Sequence, residues 1–276
     1  MTKIKSPPPL ISLLLGASLA LIPLSGNSQS VVSVSFNPPP GFSPPPGNDG
    51  EPPNTGAGGR RGGQCFSEAG PESKLTPLTP ANQLGLTLDK NPSIFVFVPK
   101  TTAIQGEFLL RVPTENPEPG QPKFREVYYT TFDLPSRPGI VRIQLPTKAI
   151  AKQSMLDLDK MYQWEVSLVC DPRNRELDWR TSRWIQRVEP SDINTSLDEE
   201  LQTATPLEQV VLYGKAGIWH DALMALADLR QTQGDSTVLV SLWDDLLNSE
   251  AVQLGRVTQA PLLDCCQAIQ EDGNQN

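Results

Sequence analysis

Residues 162–172 read YQWEVSLVCDP. On an extended chain Tyr162, Trp164, Val166, Leu168 and Cys170 fall on one side, and Gln163, Glu165 and Ser167 on the other. Aromatic and branched residues alternating with polar ones are the pattern of a half-buried strand. Burying Trp164 contributes a few kcal/mol at about 25 cal/mol per Å² of apolar area. Its apolar neighbours on that side make it a core residue rather than an exposed ligand platform. Asp171-Pro172 ends the strand, because proline cannot donate to a ladder and restricts the residue before it.

Working outward, residues 183–189 return beside this strand. Further strand-like runs occupy 84–88, 94–98, 104–112, 127–134 and 140–145, punctuated by Pro, Gly and Asn. Ile104, Gly106, Phe108, Leu110 and Val112 face one way, as do Val141, Ile143 and Leu145. Residues 116–120, NPEPG, read as a hairpin loop. The expected fold is mainly β with α: an antiparallel β-sandwich of immunoglobulin-like architecture over residues 65–190, its two sheets sharing one core.

After Pro190 the period changes to that of helices. Thr205-Pro206-Leu207-Glu208 is a capping box with proline in the first helical position. The pattern predicts helices over 206–215 and 218–231, the second with Trp219, Ala222, Leu223, Leu226 and Leu229 along one side. Gly234 ends it, Asp235 or Ser236 caps a third helix to 247, and 192–202 reads as a shorter one. Tyr213, Gly217, Trp219 and Ala222 have the spacing of a tetratricopeptide repeat. Only about one and a half repeats are present where roughly three stand alone. The small tetratricopeptide-like segment at 191–250 is therefore expected to pack on the sandwich or on another chain. Residues 251–276 read as a flexible acidic tail.

At the other end, Lys3 and Lys5 precede an apolar run of 13 residues, 10–22. That is too short to span a bilayer and suits a secretory signal, with cleavage expected after Ser30. An uncleaved anchor is the alternative. Residues 31–64 form a Pro/Gly-rich linker, PPPGFSPPPGNDGEPPNTGAGGRRGG at its centre, read as a spacer or else as a ligand for a proline-binding domain. LTPLTP, from Leu75, enters the ordered part.

The chain has 276 residues and a net charge of −8, which argues against a nucleic-acid binder. The acidity is uneven. Residues 31–189 carry 18 Lys and Arg against 17 Asp and Glu, and residues 190–276 carry 3 against 14. Either the halves attract each other or the acidic half faces a basic partner. The cysteines, Cys65, Cys170, Cys265 and Cys266, fit no zinc spacing. Export implies an oxidising compartment, and the expected disulfide is Cys65 with Cys170, the adjacent Cys265 and Cys266 offering competing partners.

The stretches LTPLTPANQLGLTLDKNPSIFVFVP, YTTFDLPSRPGIVRIQLP, YQWEVSLVCDP, RWIQRVEP and PLEQVVLYGKAGIWHDALMALADLR together resemble a cyanobacterial domain-of-unknown-function family numbered 928. The resemblance covers most of residues 75–230. It implies export in a cyanobacterium and carries over no catalytic residue. His220 stands where the helical motif more usually has tyrosine.

His220 is the only histidine, so no histidine triad or multi-histidine metal site is expected, and it reads as a helix-surface residue. Glu165, Asp171 and Glu189 are the nearest approach to paired carboxylates, but their positions suit a solvated face. The glycines at 56–63 follow no strand and form no phosphate loop. One cluster is less bland: Arg173, Arg175, Arg180, Arg183 and Arg187 with Trp179 and Trp184, residue types favoured at interfaces. These are the candidate binding residues. No cofactor or metal is expected, nor a stable membrane span after signal cleavage. The expected function is that of an uncharacterised periplasmic or secreted protein: a non-enzymatic protein-interaction module of the cell envelope with a protein partner. A carbohydrate-binding module and a hydrolase without a recognisable motif are the alternatives. Oligomeric state is left open.

Overall fold

In the computed structural model, residues 32–45, 65, 74–118, 121–146 and 155–263 are described. The expected signal segment, residues 46–64 of the linker, and Cys265 and Cys266 lie outside them. The strands are Thr76–Pro77 (β1), Leu84–Thr87 (β2), Ser93–Val98 (β3), Gln105–Pro113 (β4), Phe124–Phe132 (β5), Gly139–Gln144 (β6), Met161–Val169 (β7), Trp179–Arg187 (β8) and Leu262–Leu263 (β9). The helices are Pro190–Ile193 (α1), Leu197–Thr203 (α2), Pro206–Ala216 (α3), Trp219–Gln233 (α4) and Thr237–Asn248 (α5).

Period-two alternation sets the inner layer. Tyr162, Trp164, Val166 and Leu168 of β7 share a buried cluster with Phe108 and Leu110 of β4, Ile94, Val96 and Val98 of β3, and Val141 and Ile143 of β6. These residues come from two sheets. One has the order β1-β3-β6-β9, the other β2-β8-β7-β4-β5. One core between two sheets was expected. Purely antiparallel pairing was not the outcome: β2 pairs with β8 in parallel, and β9 with β6. Both sheets are mixed, because these partners are separated by long crossovers that local spacing does not register.

Ile104 also departs from expectation. It precedes β4 and is 61 % exposed, although its backbone N–H still donates to Val169 O.

The helices cover the outer face of the first sheet. Leu78, Phe95, Phe97 and Ile140 pack with Trp219, Leu223 and Leu226 of α4 and with Leu242 and Trp243 of α5. Trp219 Nε1 donates to Leu78 O at 2.8 Å, a buried bond tying α4 to the segment after β1. The α3 capping box forms as expected, with Thr205 N–H donating to Glu208 Oε2 at 2.8 Å. Gly217 closes α3 in the left-handed region at φ 72, where glycine carries no Cβ penalty. A third cluster joins Leu84, Leu86 and Trp184 to Leu197, Leu201 and Ile218.

Both ends of the ordered body extend further than expected. Val34 and Phe36, placed in a spacer by their proline-rich context, are buried among the helices. Val252, Leu254, Val257 and Leu263, placed in a flexible tail, are buried too, and β9 pairs with β6. In each case a few apolar residues reach a helical surface that local composition could not reveal. The compact unit holding all described residues starts at Val32.

Candidate functional site

The outward side of the five-stranded sheet is where polar chemistry collects. Strand alternation that turns Trp164 and Val166 inward turns Gln163, Glu165 and Ser167 of β7 outward, beside Glu107, Leu109 and Arg111 of β4. Arg111 donates through Nε and Nη2 to Gln163 Oε1 at 2.9 and 2.6 Å. Its Nη2 lies 3.6 Å from Glu165, and its guanidinium stacks 4.6 Å from the Phe124 ring centroid. Gln163 and Ser167 are buried, so the side chains of this part of the face are tied to one another rather than free in solvent.

Towards the β7–β8 turn the face opens. Asp178, just before β8, has no side-chain exposure and is held by three donors. Cys170 N–H approaches at 3.2 Å, Arg175 Nε at 2.5 Å and Arg180 Nη2 at 3.4 Å. A buried carboxylate without such partners would be strongly destabilised. Arg175 also reaches Glu107 at 2.5 Å, and these two carboxylates raise its pKa well above the usual arginine range. Tyr129 of β5, 47 % exposed, completes the patch. Burial first, and then its hydrogen bond with Glu107, pushes its phenol upward.

The seven candidate binding residues are divided by the same alternation. Arg173 is exposed in the turn, where its N–H donates to Asp171 Oδ1. Arg175 and Arg180 belong to the patch. Trp179 is half-buried against the inter-sheet core. Arg183 donates to Ser182 O, and Arg187 to Leu88 O and Leu156 O, so both knit backbone. Trp184 is fully buried in the third cluster, with Phe124 at 6.2 Å. The cluster inferred from sequence is thus not one surface, because neighbours along a strand point to opposite faces. Glu107, Arg111 and Tyr129 were not singled out; the alternation of polar residues in β4 was their only signal.

Other expectations resolve similarly. Glu165, Asp171 and Glu189 do not meet: Glu165 pairs with Ser182 in mid-hairpin, while Asp171 and Glu189 lie beyond its opposite ends. His220 is not on the helix surface but buried, its ring over Gly85 of β2, where any side chain would collide with it. Burial pushes its pKa down to about 3, and among the described residues neither ring nitrogen has a hydrogen-bond partner to hold a charge there. Cys65 and Cys170 form a disulfide with Cα atoms 5.4 Å apart. Among the described residues no group of three His, Cys, Asp or Glu could hold a metal ion, and no helix is long and apolar enough to cross a membrane.

A family model described as Domain of Unknown Function (DUF928) matches residues 56–262. No curated protein and no solved structure matches the chain.

Proposed function

The chain belongs to the DUF928 family, and from that premise we propose that it is an exported, non-enzymatic protein-interaction module of the cell envelope, of cyanobacterial origin. The observation that carries this reading is the free side of β5. Among the described residues this strand of nine pairs only with β4, at the edge of the sheet. An open edge of that length is a template for strand addition by another protein. Exposed Arg125, Glu126 and Tyr129 flank it, and the Arg175–Glu107 pair lies beside Tyr129. β5 also carries a bulge, since Leu110 opposes Tyr128 and Arg111 opposes Glu126. Such a kink discourages indiscriminate pairing and favours a matched partner.

In this reading the two-sheet body is an immunoglobulin-like scaffold, and α3 with α4 is a tetratricopeptide-like hairpin packed on it. Export is supported by the Cys65–Cys170 disulfide and by a compact unit that starts just after the expected cleavage position. Carbohydrate binding has less support, because Trp164 and Trp184 are fully buried and Trp179 is half-buried, so these three offer no platform of two exposed rings.

The test is crosslinking in envelope fractions of the native host. Wild-type protein should be found outside the cytosol and yield one specific protein adduct. Arg125→Glu combined with Tyr129→Ala should lose that adduct while keeping its thermal transition. Cytosolic residence, or an adduct indifferent to both substitutions, overturns the reading.

A further inference from the structure

Residues 36–47 repeat a six-residue unit, FNPPPG then FSPPPG. The first phenylalanine is an anchor. Phe36 is 5 % exposed and meets Trp219 edge-on, with ring centroids 5.0 Å apart. Val34 is 4 % exposed beside it. Asn37 N–H donates to Gly214 O at 3.2 Å. Gly41, at φ 90, turns the chain so that Phe42 packs on the separate cluster containing Trp184 and Ile218.

The seat on the helices is shaped for this segment. A methyl group on Gly214 would lie 2.7 Å from Val34 Cγ2 and 3.0 Å from Ser35 O, and one on Gly217 would collide with Pro39. Glycine inside α3 weakens the helix relative to alanine. At Gly214 the missing Cβ makes room for the segment's backbone. The ligand itself is stiff, since consecutive prolines restrict the unbound chain and reduce the entropy lost on docking.

We propose that the groove over Gly214, Gly217 and Trp219 is a recognition site for a proline-rich segment of the form Phe-x-Pro-Pro-Pro-Gly-Phe, that its occupant is this polypeptide's own residues 34–42, and that the segment is a separable ligand which a second copy can supply in trans. Nineteen residues, 46–64, separate Pro45 from Cys65. At roughly 3.4 Å per residue they reach about 65 Å, far enough for docking within one chain or between two. Among the described residues no strand or helix pairing holds the segment; its buried anchors and the Asn37–Gly214 backbone bond do. The site is independent of the β5 edge.

The test uses the full chain with a protease site inserted within 46–64. After cleavage the body should keep its circular dichroism and thermal transition. A labelled peptide of residues 31–47 should exchange in saturably, and the same peptide with Phe36→Ala should bind at least tenfold more weakly. Gly214→Ala, which favours helix α3 yet fills the seat, should weaken peptide binding at least tenfold without lowering helix content. A nicked segment that never exchanges, equal binding by both peptides, or unfolding on cleavage each overturns the proposal.

Discussion

His220 and Asp221 are chain neighbours in the first turn of α4, and burial acts on them in opposite senses. The imidazole is kept neutral, with its pKa pushed from 6.5 down to about 3. The carboxyl is pushed from 3.8 up to about 6 by burial, against hydrogen bonds from Thr87 and the Leu88 N–H at 3.1 Å. A depressed histidine contributes stability that is present above pH 6.5 and lost as pH falls towards about 3. A raised aspartate contributes stability that is present below pH 3.8 and lost as pH rises through about 6. Each proton gives a slope of about 1.4 kcal/mol per pH unit, so between roughly pH 4 and 6 the two slopes cancel. Asp221→Asn, which keeps an acceptor for Leu88, should therefore gain stability relative to wild type by about 1.4 kcal/mol per pH unit across that window. The advantage of wild type over His220→Leu should shrink at the same slope as pH falls from 6.5 to about 3. Urea titrations at closely spaced pH values read both differences; curves that stay parallel to wild type would refute the assignments.

Helix α3 shows what a short motif can specify. Thr205 Oγ1 accepts from Glu208 N–H at 3.4 Å, while the Glu208 carboxylate accepts from Thr205 N–H at 2.8 Å and from Thr205 Oγ1–H at 2.7 Å, and these last two bonds hold it below its usual range. Thr205→Ala should lower stability by about 1 kcal/mol. For a body of this size that is a fall in Tm of about 2–4 °C, measurable by scanning calorimetry. An unchanged Tm would mean that α3 is held by packing alone. This helix, its cap and the inward side of β7 were legible in the sequence because each depends on residues a few positions apart. The parallel pairing of β2 with β8 was not, because Leu84 and Trp184 meet across 100 residues of chain. His220 looked like surface for the same reason: the Gly85 that receives its ring comes from another element. The arginine cluster was visible as composition. Its division between the Asp178 patch and the backbone contacts of Arg183 and Arg187 depended on strand facing, and Tyr129 and Glu107 join it only through tertiary pairing.

The uneven charge of the chain is partly resolved by folding. Arg142 of β6 reaches Asp228 of α4 at 2.6 Å, tying the near-neutral β body to the acidic helices. This pair is exposed enough to be worth no more than about 1 kcal/mol, so it does not hold the layers together. Their shared apolar clusters do, and the disulfide pins Cys65 to the end of β7. Cys65 is anchored twice over: its carbonyl accepts from Thr101 Oγ1 at 2.7 Å and from Thr102 N–H at 2.8 Å. Cys170 is anchored by Asp178. The bond closes a sequence separation of 105 residues that contains seven of the strands from β1 to β7. Loop-closure entropy for that length gives about 4–5 kcal/mol as an upper figure. The measured value falls below this figure because the reduced, unfolded chain keeps residual structure and is not a free random coil. Cys65→Ser with Cys170→Ser should thus lose about 2–4 kcal/mol. Wild-type protein under reducing conditions should follow the same urea curve as the double variant. If the reduced wild type were as stable as the oxidised form, the cross-link would be contributing nothing to the fold.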